Sequence, residues 1–135
     1  MTQINENIPQ ILKESKTIAV VGISNKTHRP SYDVTNYLLR AGYTIIPVNP
    51  MIDEVFGLKC YSSLSDIDTQ IDIVDIFRKP SDVEPIVEDA IKINAKTVWM
   101  QLGVVNENAA QKALEAGLNV VMNHCLKVEH AINRF

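Results

Sequence analysis

Three stretches of the chain share one rhythm. They are RAGYTIIPV at 40–48, INAKTVWMQ at 93–101 and EAGLNVVMN at 115–123. Each reads as a helix end, a Gly or Asn turn, then a short apolar strand. Two further apolar runs, TIAVVG at 17–22 and IDIVDIF at 71–77, complete a set of five strands. These runs are β-branched and continuous rather than alternating, as in strands covered on both faces. Strands separated by helical segments at this spacing build βαβ units, whose right-handed crossovers put helices on both sides of a parallel sheet. The expectation is an α/β fold, a doubly wound five-stranded parallel sheet in the order 3-2-1-4-5, as a single domain over residues 1–135.

The helices between the strands follow from spacing. Ile4, Ile8, Ile11 and Leu12 fall on one helical face, with Asn7 as cap and Pro9 in the first turn, predicting an N-terminal helix packed on the domain within residues 1–15. Ser31 is placed to cap a helix carrying Val34, Tyr37, Leu38 and Ala41, which Gly42 ends. Ser81 and Glu84 have capping-box spacing, but Pro85 moves that helix start one or two residues on. Asn106 caps the next helix and Gly117 ends it. Residues 49–70 have no clear period, with one helical turn at SLSDI.

Composition narrows the function classes. A net charge of −3 argues against broad nucleic-acid binding. The longest apolar runs are too short to span a membrane, and the N-terminus lacks a signal-peptide pattern, so a cytoplasmic location is expected. Cys60 and Cys125 form neither a disulfide framework nor a zinc pattern. No metal site and no catalytic constellation of the Ser-His-Asp kind is expected. Cys125 beside His124 is read as a partly buried thiol with an incidental histidine, because neighbours in a strand face opposite ways.

In open parallel sheets the ligand lies beyond the carboxyl ends of the strands. Here those ends hold small, amide-bearing or basic residues: Gly22-Ile23-Ser24, Asn49-Pro50, Phe77-Arg78-Lys79, Gln101-Leu102-Gly103 and Asn123-His124-Cys125. No carboxylate stands at any of them, although Asp75 lies inside the third strand. Gly22 permits a tight turn, the following helix start favours an anion, and Ser24, Lys26, Arg29 and Ser31 add donors. The loop thus reads as a phosphate site; the alternative is an ordinary turn with Lys26 and Arg29 in solvent. An NAD site needs an acid at the end of the second strand and two more glycines in this loop. Val48-Asn49-Pro50 supplies neither, and Asp53 and Glu54 come too late.

The blocks VVGISNKTHRPSYDV, YTIIPVNP, EVFGLKCYSSLSDI, DIVDIFRKPSDV, TVWMQLGVVNENA and NVVMNHCLKVEH, in this order, resemble the family of small prokaryotic CoA-binding proteins. They are similar in turn to the CoA-binding N-terminal domain of the succinyl-CoA synthetase α subunit and of related NDP-forming acyl-CoA synthetases. The resemblance runs from about residue 15 to residue 130 and implies a Rossmann-like fold holding coenzyme A, or an acyl-CoA, across the strand ends. It implies that Gly22, Ser24 and Lys26 approach the pyrophosphate, flanked by Arg29 and Ser31. Asn49 and Pro50 line the nucleotide side; Phe77, Arg78 and Lys79 wall the crevice, with Val83 below; Gln101 and Gly103 lie toward the pantetheine arm. The synthetases need a phosphohistidine domain and a nucleotide-grasp domain, for which 135 residues leave no room. The expectation is therefore a non-catalytic sensor, carrier or partner subunit, able to form a homodimer or to dock on a synthetase-like protein. The competing expectation is an NAD(P)-binding oxidoreductase or redox sensor, in which Lys26 and Arg29 meet a 2′-phosphate.

Overall fold

The computed structural model describes residues 3–133. The ends of the expected 1–135 unit, residues 1–2 and 134–135, lie outside the described residues. In chain order the elements are α1 (Ile8–Glu14), β1 (Thr17–Val21), α2 (Pro30–Arg40), β2 (Thr44–Val48), β3 (Glu54–Val55), β4 (Leu58–Lys59), β5 (Ile73–Ile76), α3 (Val83–Lys92), β6 (Thr97–Met100), α4 (Glu107–Glu115), β7 (Asn119–Met122) and α5 (Leu126–Asn133). Five strands form one parallel sheet in the order β2-β1-β5-β6-β7.

Side chains alternate between two apolar layers. Ala19, Val74, Val98 and Val120 face α3 and α4, where Val87, Ala90, Ala109, Ala110 and Ala113 meet them. Ile18, Val20, Ile73, Trp99 and Val121 face the opposite layer, built from Ile11 and Leu12 of α1, Val34 and Leu38 of α2, and Leu126 of α5. Both faces are therefore dry, which is why the strands read as runs. Among the described residues no helix is long and apolar enough to cross a membrane.

The strand order corrects the sequence reading. The third main strand, β5, pairs with β1, not with the outer side of β2, so the order is 2-1-3-4-5 rather than 3-2-1-4-5. Pro47 supplies the reason. Its carbonyl accepts from Tyr61 N–H at 2.9 Å on the outer edge of β2, so its missing N–H lies on that same edge. A proline in a strand is confined to an edge, and β2 is that edge. The return loop covers it, with Asn49 N–H donating to Tyr61 O at 2.9 Å. The small β3–β4 hairpin stands beside it, its Phe56 ring stacked on Tyr32 of α2 with centroids 4.3 Å apart.

Other expectations shift locally. Ile4 lies outside α1 and packs against the α3/α4 layer, while Asn5 exchanges hydrogen bonds with Val120 and Met122 along the β7 edge. Asn7 takes the cap position with φ 60° but makes no side-chain cap bond. A 3-10 turn, Pro80–Asp82, precedes α3, so Ser81 is no cap. Asn106 caps α4 as expected, accepting from Ala109 N–H at 3.0 Å.

Candidate functional site

With β1 flanked by β2 and β5, the strand order reverses at β1, and the crevice opens between the loop after β1 and the turn after β5. Gly22 brings these two segments together. It has φ 87°, its N–H donates to Val48 O at 2.9 Å, and a Cβ there would strike the Phe77 carbonyl and stand 2.8 Å from Arg78 Cδ. Glycine is required here for the close approach of two backbone segments of the protein itself.

The loop beyond Gly22 is held by its own hydroxyls. Ser31 is not the cap of α2, which starts at Pro30 with Arg29 in the cap position. Instead Ser31 Oγ accepts from Ser24 N–H at 3.0 Å, and Ser24 Oγ accepts from Lys26 N–H at 3.0 Å. Asn49 ties in the second strand end, donating from Nδ2 to Ile23 O at 2.7 Å. Tyr32 and Asp33 N–H groups are spent on Arg29 O. The backbone N–H groups of Ile23, Asn25 and Ser31 take no partner among the described residues. Open N–H groups on a loop that leads into a helix start favour an anion.

These segments enclose a cavity of about 750 Å³. The structure brings Gly22, Ser24, Lys26, Arg29, Ser31 and Asn49 to it from one side and Phe77, Arg78, Lys79 and Gln101 from the other. Its charge is lopsided. Lys26, Arg29 and Lys79 make no ion pair among the described residues. Arg78 pairs with Asp82 at 3.1 Å, the one carboxylate on the lining. Pro50 lines an adjoining cavity of about 350 Å³, which shares Gly22, Arg78 and Asp82 with the first and adds Ser62, Ser63 and Ser81.

Two expected residues fall elsewhere. Val83 is fully buried among the α3-side core residues and lines neither cavity, because the first turn of α3 turns its apolar face to the sheet. Gly103 lines neither; its N–H donates to Asn123 Oδ1 at 2.7 Å, while Leu102 and Val104 on either side reach the cavity. Ile52 and Asp82, not singled out from sequence, also line it, as does Cys125, read from sequence as a partly buried thiol at a strand end. His124 points elsewhere, with Nδ1 2.9 Å from Met122 O. Phe77 both lines the cavity and packs on the α2-side core.

Behind the lining, Gln101 Nε2 donates to the buried Asp75 Oδ1 at 2.8 Å. Burial pushes the Asp75 carboxyl up to about 7, with the Gln101 hydrogen bond acting in the opposite direction.

Comparison with known proteins gives this geometry its family. The protein YneT of Bacillus subtilis is 46% identical over 127 residues, spanning 94% of both chains. An acetate–CoA ligase (ADP-forming) of Methanocaldococcus jannaschii is 32% identical over 81 residues, 60% of this chain but 12% of that protein. A solved structure of a protein from Pyrococcus horikoshii superposes with a TM-score of 0.91 at 47% identity, covering 94% of this chain and 89% of that one. The family model described as CoA binding domain matches residues 16–131, and the chain belongs to that family.

Proposed function

We propose that this chain binds coenzyme A, or a short acyl-CoA, across the carboxyl ends of its strands without transforming it, as a sensor, a carrier or the CoA-holding partner of another protein. The observation that carries this reading is the unbalanced cavity. Lys26, Arg29 and Lys79, which make no ion pair among the described residues, and a set of open backbone N–H groups line it, in a chain whose net charge is −3. Uncompensated cations gathered in an acidic protein favour a multiply anionic ligand. Membership of the CoA-binding domain family and the likeness to part of an acetate–CoA ligase support coenzyme A as that ligand.

In this arrangement the pyrophosphate lies on the loop from Gly22 to Ser31, against Ser24, Lys26 and Arg29. Asn49 and Pro50 border the nucleoside, and Arg78 stands between the two cavities beside Lys79. Phe77 gives an apolar wall, and the arm runs toward Gln101 and the Gly103 turn. Native mass spectrometry of the protein mixed with CoA tests the reading. One CoA per chain, retained when an equal concentration of ATP is added, is the expected result. A protein that acquires no CoA at millimolar concentration overturns it.

A further inference from the structure

The interior of the sheet holds a carboxyl group. Asp75, on β5, has no exposure, and its register neighbours are Val20 on β1 and Trp99 on β6. The layer over that face is Ile11 and Leu12 of α1, Val34 and Leu38 of α2, and Leu126 of α5. No charged side chain from any of these elements acts on Asp75; burial raises its pKa and Gln101 alone opposes it. Oδ2 has no hydrogen-bond partner among the described residues. Burying a carboxyl group in this way is unfavourable, and a valine would serve the sheet better. The residue therefore answers to something other than folding.

Its effect falls on Gln101. A side-chain amide has a donor end and an acceptor end, whereas a carboxylate only accepts. Asp75 thus holds Nε2 at 2.8 Å and turns Oε1 away from itself. Gln101 is 3% exposed, and that exposure is to the cavity it lines. Oε1 accepts no hydrogen bond from the described residues, yet it is not among the buried unpartnered atoms. The lining thereby offers a ligand the cations Lys26, Arg29 and Lys79 together with one open acceptor at Gln101.

We propose that Asp75 is a positioning residue that fixes the Gln101 amide with its carbonyl toward the cavity, and that Gln101 Oε1 accepts a hydrogen bond from an N–H group in the arm of the ligand. The inference rests on the CoA reading: the pantetheine arm carries secondary amide N–H groups, while phosphate oxygens would be repelled by an acceptor. The pair thus sets which way round the ligand lies. When Asp75 takes up a proton, its O–H can donate to Oε1 and the amide is free to turn its N–H end to the cavity. Preference for the arm then weakens.

Titration calorimetry with CoA and with the β-methyl ester of adenosine 3′-phosphate 5′-diphosphate, which lacks the arm but carries the same ionising phosphates as CoA, tests this on the wild type, Gln101→Met and Asp75→Asn at pH 8 and pH 6. The ratio of the two affinities cancels the titration of the shared phosphates. At pH 8, Gln101→Met should lose about two- to tenfold in CoA affinity, the size of one neutral hydrogen bond, and none for the arm-less compound. In the wild type the ratio should fall from pH 8 to pH 6; in both variants it should stay flat. Gln101→Met binding CoA as tightly as wild type, or a wild-type ratio indifferent to pH, overturns the inference and leaves the CoA site standing. A wild type that binds neither compound overturns the CoA reading itself, and the inference with it. The wild-type ratio alone decides the matter should a variant fail to fold.

Discussion

Replacing Gly22 by alanine asks whether the crevice depends on the contact between the β1 loop and the β5 turn. The position has φ 87°, where a side chain costs roughly 1–2 kcal/mol. The added methyl would also overlap the Phe77 carbonyl, which is backbone and cannot rotate away, and crowd Arg78 Cδ. Forcing an extra carbon into such a fit costs about 1–3 kcal/mol more. For 135 residues, unfolding entropy of about 2.1 cal/mol/K per residue makes each kcal/mol worth about 3–4 °C. Gly22→Ala should therefore melt about 7–18 °C below wild type, and CoA affinity should fall as the Phe77–Arg78 wall is pushed out. Gly117 is the control: it has φ 89° but nothing within 4 Å of a Cβ. Gly117→Ala should lower the melting temperature by only about 3–7 °C and leave CoA affinity alone. Thermal melts and titrations on both variants decide it. Equal melting losses in the two would show that no close approach exists at Gly22.

The basic lining makes its own predictions. Arg29→Ala and Arg78→Ala should each weaken CoA binding about ten- to a hundredfold in calorimetric titrations, the size of one charge-assisted hydrogen bond, with the unliganded melting temperature nearly unchanged. Asp82→Asn frees Arg78 from its 3.1 Å partner and should tighten CoA binding by about two- to fivefold; weaker binding would mean that Asp82 itself holds the ligand. Asp75 predicts a pH effect on stability. Its pKa is raised from 3.8 to about 7, so its contribution is fully present below the lower value and lost as pH rises through the upper one. Between pH 5 and pH 8 the wild type should lose on the order of 2–3 kcal/mol relative to Asp75→Asn in denaturant melts, and a constant difference would contradict it.

The sheet was legible because buried parallel strands leave continuous apolar runs between capped helices, and the five runs all became strands. Their order was not read correctly, although Pro47 carried the signal: a strand that must lie at an edge cannot stand second in from it. The β3–β4 hairpin escaped because strands of two residues have no period. Helix α5 escaped because it buries only Leu126 while Val128 and Ile132 stay exposed, so no clean stripe marks it. At the site, the strand ends gave the loops but not the aim of each side chain. Ser31 turns back to Ser24 rather than capping its helix, and Val83 faces the core. The Asp75–Gln101 contact joins residues 26 positions apart and exists only through the pairing of β5 with β6. Ile52 and Asp82 likewise reach the cavity through tertiary placement.

The central claim is that the cavity was built for coenzyme A and not for a nicotinamide dinucleotide. Calorimetric titration of the wild-type protein with CoA and with NADH, in the same buffer at low salt, tests it most directly. The account predicts one CoA bound per chain, at least about tenfold tighter than NADH, because Asn49 stands where an NAD ribose needs an acid and the lining cations await an additional phosphate. NADH binding as tightly as CoA, or CoA binding with no measurable heat or displacement, would contradict it.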